Sequence, residues 1–455
     1  MANDVSSLSV AQLLGAYQAR TLSPVEVAQA YFARIERHDS KLHAYVQLTR
    51  DLALSQARQA ERAYAAGSAG AALEGVPISI KDAFHVAGIQ TTLGSEVYRG
   101  QISKSDSGLV RRLRASGAVF LGKTNTAEFG QSATTDNLLG PDTANPWDVT
   151  RTPGGSSGGA AASIAARLAP LAVGSDGGGS IRIPAAFAGV FGLKPSAGVC
   201  KDEDGFRAMS EFVSAGPMAK SVADARILLG VLAGSRFDRR STRKPLRVCY
   251  CPAPENRPVD RDLALVVERA ARVFEDLGHR LEADHPPIQG WDDIFGPLVL
   301  EEEHRERGHL LKLCPEKLTR YERSTLKAAL VLDPVDVERA RGLLPGFRRR
   351  LGEFFDRYDV LISPATAVPA FPLDQRPKFI GDVAVDWLWG AFPFTAPFNV
   401  GGVAASAVPC GLVGGLPVSL QLVVRAGAEQ LLLDLSQDVE EAVALDRRGL
   451  DSIWT

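Results

Sequence analysis

The rhythm of apolar and polar positions changes several times along the chain, and each change marks an element. Near the start the spacing is helical. Ser9 stands before a periodic run that reaches Arg20, and Ser23-Pro24-Val25-Glu26 places a hydroxyl cap and a first-turn proline before a second run. The alanine-rich, charged run 54–66 predicts a helix turned to solvent. At Gly75-Val76-Pro77-Ile78-Ser79-Ile80-Lys81-Asp82 the period becomes two, which predicts a strand ending on a lysine. A helix follows over 106–116, then a short apolar strand ending near Lys123. Residues 191–196 read as a turn, and Ser221 caps a helix that reaches Leu232. Beyond about 239 the chain turns to Arg- and Glu-rich helical segments, 260–278, 291–309 and 334–355. It then returns to sheet-like runs at 359–363 and 416–424 and closes on a helix over 429–445.

Strands alternating with helices predict an α/β fold: a large mixed, mostly parallel twisted sheet covered on both faces by helices. A strand returning near residue 416 makes both ends of the chain build one large domain. Its expected parts are an N-terminal helical segment (1–74), a core (75–235), a helical elaboration (236–355) and a return to the same sheet (356–455). No internal repeat is present.

Composition narrows the class. The chain has 455 residues, 45% hydrophobic and 23% charged, the balance of a soluble globular protein with a large core. A formal net charge of -2 argues against binding nucleic acid or an anionic membrane. No run of about 18 uncharged apolar residues is present to span a bilayer. The first residues carry no basic region followed by an apolar one, and the five cysteines are sparse and odd in number. Free thiols and cytoplasmic residence are the expectation. His304 and His309 lie five apart without an H-E-x-x-H pattern, so a solvated helix is expected there, and no metal or cofactor is expected.

The chemistry concentrates in residues 153–184, PGGSSGGAAASIAARLAPLAVGSDGGGSIRIP. Two glycine-flanked serine clusters, Gly154 to Gly159 and Gly177 to Ser180, are joined by a small-residue helix and a short strand. Glycine at this density marks backbone that bends sharply or approaches another group closely. Upstream, Gly117 to Thr124 fits the phosphate-binding pattern G-x-x-x-x-G-K-[ST]. Its four middle residues are themselves the strand, however, which leaves no loop to wrap a phosphate.

Two catalytic systems are open. Gly155-Ser156-Ser157-Gly158-Gly159 contains G-x-S-x-G, which would make Ser157 the nucleophile of a Ser-His-Asp esterase. That system needs a strand immediately before the elbow and a late histidine; the segment before it is a proline-bounded loop, and the last histidine is His309. The other system uses a lysine. A serine hydroxyl must give up its proton, and a neutral amine accepts it when burial disfavours the charged form. Gly177-Gly178-Gly179-Ser180 offers consecutive N–H groups for an oxyanion, which lets Ser180 act within its own cradle.

These residues resemble the amidase signature hydrolases. The resemblance covers 75–81, 122–128, 145–147, 153–159, 174–184, 192–195 and 216–223, and more weakly 358–364, 397–403 and 409–422. The spacings from Lys81 to Ser156 (75 positions) and from Ser156 to Ser180 (24 positions) agree with it. It implies that Ser180 is the acyl-forming nucleophile, that Ser156, in a cis peptide, bridges it to the base Lys81, and that Ser156 protonates the leaving amine. It also implies an oxyanion hole of the Gly177, Gly178, Gly179 and Ser180 amides, support from Ser157, Asp176 and Arg182, and substrate contact at Gly130 and Gln131. The implied reaction is hydrolysis of a non-peptide C–N amide bond through an acyl-enzyme, with carbamates, anilides or aryl esters as further substrates. The implied partner is a small molecule, and the implied state is a monomer or homodimer. Ser79 reads as a structural hydroxyl.

Departures from the family pattern bear on specificity. Three glycines precede the nucleophile, and Ile183 is apolar where a carboxylate clamp would need a polar group. Residues 290–350 lack the glycine- and tyrosine-rich helical motif of the family's tRNA-linked members. A catalytically silent scaffold that keeps the fold is the reading from another class. The substrate lining is expected from loops 130–135, 200–214 and 387–398. The aromatic Trp387-Leu388-Trp389 start of the last loop fits an apolar or aryl group, or core packing.

Overall fold

A computed structural model describes residues 4–240 and 244–454. Thirteen strands are present among them: β1 (Tyr45–Leu48), β2 (Pro77–Lys81), β3 (Val119–Thr124), β4 (Leu171–Asp176), β5 (Phe191–Lys194), β6 (Ser214–Ala219), β7 (Arg247–Tyr250), β8 (Arg280–Ala283), β9 (Val360–Pro364), β10 (Phe379–Ile380), β11 (Val383–Ala384), β12 (Ala404–Val413) and β13 (Leu416–Val424). Eleven form one sheet in the order β1-β3-β2-β4-β6-β5-β12-β13-β9-β7-β8, while β10 and β11 pair separately. The sheet separates two apolar cores. Along β13, Leu420, Leu422 and Val424 enter the larger core, and Val423 enters the smaller one with Leu361, Ala405 and Cys249. Every residue of β13 is buried, so both faces are covered.

The large mixed sheet in a single α/β domain is the predicted architecture, but parallel pairing is not its majority. Four pairings are parallel, joining β2 to β3 and β4 and joining β7 to β8 and β9; the other six are antiparallel. One antiparallel pair of the centre follows from a short connection. β12 and β13 are joined by Gly414-Gly415 alone, and both residues have positive φ (56° and 81°), the backbone that a two-residue hairpin turn requires.

Several local expectations change. Residues 236–355 are not only helical, because they supply β7 and β8 to one edge of the sheet; the N-terminal segment supplies β1 to the other. The 191–196 stretch contains strand β5 rather than only a turn. Helix Arg50–Ala66 buries Ala53, Ala57 and Ala60, so one of its faces packs on the core and is not turned to solvent. Helices Val10–Gln18 and Pro24–Leu42 begin with full capping boxes, Ser9 with Gln12 and Ser23 with Glu26. All of the octapeptide 117–124 beyond Ala118 is strand β3, in line with its apolar middle, and Lys123 is held by a buried ion pair to Asp82 at 2.7 Å. No helix among the described residues is long and apolar enough to cross a membrane.

Candidate active site

β2 and β4 are parallel neighbours, so Lys81 at the end of one and Asp176 at the end of the other lie at the same carboxyl end of the strands. In open α/β sheets this carboxyl end is where sites form. The two serine clusters meet there. The first cluster opens helix Gly158–Ala165, built wholly of buried small residues and one isoleucine. Its glycines permit contact that no side chain would: a Cβ on Gly159 would stand 2.5 Å from Ala44 O and Asn125 N, and one on Gly155 would stand 2.5 Å from Thr134 O. The Gly155–Ser156 peptide is cis, the geometry the resemblance implies for Ser156. The clusters are tied directly, because the Ser157 N–H donates to Ser180 O at 3.1 Å.

Lys81 is buried, and its Nζ donates to Ser156 Oγ at 2.6 Å and to Ser175 Oγ at 3.0 Å. Burial brings its pKa down to about 7, although the charge of Asp176 pulls the other way. A second buried lysine, Lys194, is also brought down to about 7 by burial. Its Nζ donates to the carbonyls of Pro195 (2.9 Å) and Val403 (2.6 Å), neither of which has a proton to give. Only Lys81 of this pair faces hydroxyls. Sequence reasoning missed Ser175; its one signal was a hydroxyl at the penultimate position of a strand beside the lysine strand.

The Gly177–Ser180 turn is held from below by Asp176. Its carboxylate pairs with Arg182 (Nη2 to Oδ1, 2.9 Å; Nε to Oδ2, 3.0 Å) and accepts from Asn399 Nδ2 at 2.9 Å. Burial alone would raise the Asp176 pKa, but the charge and hydrogen bonds of Arg182, with Lys194 and Asn399, hold it well below the usual carboxylate range. Arg182 also reaches Thr395 O (3.0 Å) and Gln421 Oε1 (2.8 Å). Asp176 and Arg182 therefore stand where support was expected, and Asn399, Thr395 and Gln421 join them from segments that carried no sequence signal for this role.

One expected oxyanion donor is corrected. The Gly179 N–H donates to Asp176 Oδ1 at 2.8 Å, and Gly178 O on the same peptide accepts from Thr395 Oγ1 at 2.7 Å, so that unit is already engaged. Among the described residues the N–H groups of Gly177, Gly178 and Ser180 have no protein partner. The turn thus offers three free amides rather than four.

Ser180 stands where two cavities meet. One, of about 810 Å³, is walled by aromatics that include Trp291, Phe295, Trp387 and Trp389; the other, of about 580 Å³, is lined by Ser156, Ser175, Gly177 and polar residues of the 198–210 loop. The three loops expected to line the site all do so, 130–135 and 387–389 on the aromatic cavity and 200–213 on the polar one. Trp387, Leu388 and Trp389 face the cavity, whereas Phe392, Phe394 and Phe398 of the same segment fill cores. Gly130 borders both cavities, and a Cβ there would lie 3.5 Å from Ser156 Oγ. Gln131 lines the aromatic cavity, and its amide donates to Glu303. Trp291 and Phe295 belong to the segment expected only as a helical elaboration.

Not every expected contact is closed. The Ser180 hydroxyl makes no hydrogen bond to a described residue, so the Ser156–Ser180 link is not formed here. Ser157 is buried, donates to Ser175 O at 3.2 Å and lines neither cavity. Among the described residues no histidine lines either cavity, and the Ser157 hydroxyl is bonded to backbone, so no Ser157–histidine pair is formed. Ser79 is structural, bonded to Tyr45 Oη at 2.6 Å. Among the described residues no group of three or more His, Cys, Asp and Glu side chains forms a metal site.

A doubly covered mixed sheet, a buried lysine on a cis-peptide serine, and a second serine behind free amides define an amidase signature protein. The chain belongs to the amidase family, whose match runs over residues 26–433. It is 33% identical to an acylamidase of Rhodococcus erythropolis over 98% of both chains. It is 32% identical to the A-subunit of the glutamyl-tRNA(Gln) amidotransferase of Carboxydothermus hydrogenoformans, over 95% of this chain and 97% of that one. A bacterial aryl acylamidase of the amidase signature family superposes with a TM-score of 0.88 at 25% identity, covering 98% of both chains. The family is one of hydrolases acting on C–N bonds. Its members named here differ in what they act on, so membership alone does not select a substrate.

Proposed function

We propose that this protein hydrolyses the C–N bond of a small-molecule, non-peptide amide through an acyl-enzyme on Ser180. The observation that carries this reading is the 2.6 Å contact between Lys81 Nζ and Ser156 Oγ inside a buried site that favours the neutral amine. Ser180 Oγ adds to the amide carbon while its proton passes to Ser156, and the proton of Ser156 passes to Lys81. The oxyanion meets the free amides of the Gly177–Ser180 turn. When the C–N bond breaks, Ser156 protonates the departing amine and regains a proton from the Lys81 ammonium. Water then repeats the sequence on the ester and releases the acid.

A fluorophosphonate probe tests the assignment: the tryptic peptide is expected to carry the label on Ser180, and a label on Ser157 would overturn it. The base is tested by pH. Lys81 must be neutral to accept a proton, and it becomes neutral as pH rises through about 7. The kcat/KM of an amide substrate should therefore climb from about pH 6 to about pH 8 with a midpoint near 7. A flat profile over that range would exclude Lys81 as the base.

A further inference from the structure

We infer that the two cavities divide the substrate: an aryl-bearing acyl group occupies the aromatic cavity, and a small polar amine departs into the other. This rests on the reaction proposed above. In the tetrahedral intermediate the former carbonyl carbon carries Ser180 Oγ, the oxyanion, the nitrogen and the acyl substituent. The nitrogen must lie within hydrogen-bond reach of the hydroxyl that protonates it. Ser156 lines the polar cavity and not the aromatic one, whereas Ser180 borders both. With the nitrogen on the Ser156 side and the oxyanion on the turn amides, the acyl substituent has the aromatic cavity left to it.

The walls agree with that division. Gly178 opens onto the aromatic cavity, where a Cβ would stand 3.2 Å from the Trp389 ring and 3.3 Å from the Phe295 ring. Trp389 meets Trp291 and Phe295 nearly edge-on, with centroids 5.1 and 5.6 Å apart. A flat ring extending the acyl chain finds apolar surface there as soon as it leaves the reacting carbon. On the other side, Glu302 is buried, accepts from the Ser210 N–H at 2.7 Å and lies 3.6 Å from Arg305. Arg207 lines the same wall. An aryl amine placed here would strip water from these groups without replacing its hydrogen bonds, and a hydroxylated or charged amine would not.

Two constitutional isomers with a reversed amide test the assignment: N-(2-hydroxyethyl)-3-phenylpropanamide and N-(2-phenylethyl)-3-hydroxypropanamide. The first, with its ring on the acyl side, is expected to have a kcat/KM higher by at least about tenfold, the discrimination an apolar pocket can give. Trp389→Ala should lower kcat/KM for the first isomer by about tenfold and change that for the second by less than about twofold. The second isomer thereby controls for folding, and Phe295→Ala gives an independent repeat. Equal rates, a preference for the second isomer, or no hydrolysis of either, with Ser180 still labelled by the fluorophosphonate, overturn the division alone. Loss of that labelling in the unmodified protein overturns the underlying reaction.

Discussion

Lys81→Met is expected to cut kcat by about 10⁴ while leaving thermal stability unchanged or higher. The activity loss follows from the single route for the proton. Ser156 Oγ accepts from Lys81 Nζ, and a thioether of similar length cannot take that proton. The stability sign follows from linkage. An amine held near pKa 7 in the fold and near 10.4 when unfolded is disfavoured by burial at every pH below about 10, which costs the folded state about 4 kcal/mol at neutral pH. Methionine removes that cost and keeps the volume. The two hydroxyls it leaves behind, on Ser156 and Ser175, lose one hydrogen bond each, about 1 kcal/mol apiece. Ser180→Ala should match the activity loss and abolish labelling. Steady-state turnover beside a thermal melt checks both. A Lys81→Met protein that stays active, or that is inactive only because it is unfolded, contradicts the role given to the lysine.

The parts of the site legible in the sequence are those where chemistry forces an unusual local composition. Glycines that admit Thr134 O against Gly155, or Ala44 O against Gly159, cannot be replaced by other residues without displacing backbone, so they stand out beside Ser156 and Ser180. Lys81 was legible only through the resemblance, because a lysine at a strand end is ordinarily a solvated charge. What stayed hidden came from outside such stretches. The free amides were overcounted because no spacing rule says that Asp176 turns back to occupy the Gly179 N–H. Trp291 and Phe295 look like ordinary apolar helix residues until Gly178 is placed against them. The antiparallel centre was missed for a related reason. β6 is Ser-Ala-Gly-Pro-Met-Ala, and β12 begins Ala-Ala-Ser-Ala; neither carries the β-branched alternation that announces a strand. The edge strand β8 is four residues long, too short for a period to show between long helices.

Arg182→Met is expected to destabilise the fold by about 3–5 kcal/mol near neutral pH, because it leaves the Asp176 carboxylate buried without its partner. The pH dependence carries the sharper test. In the unmodified protein Asp176 is held well below the unfolded value near 4, so its contribution is present above that pH and is lost only as pH falls beneath it. Without Arg182 the burial that remains pushes the carboxyl up, and the folded state then holds a proton that the unfolded state releases. Stability from this group now falls as pH rises above about 4. The gap between the two proteins should therefore narrow from about pH 8 to about pH 5, as measured by chemical denaturation. A gap that is constant or widens toward the acid end would mean that Arg182 acts by packing and not by charge. Asp176→Leu combined with Arg182→Met removes both charges and should restore most of the stability. Activity should stay low in that double variant. Leucine cannot accept from the Gly179 N–H, so the turn that aims the Gly177, Gly178 and Ser180 amides loses its anchor even in a protein that folds. Recovery of stability without recovery of turnover is the result that separates holding the fold from shaping the oxyanion site.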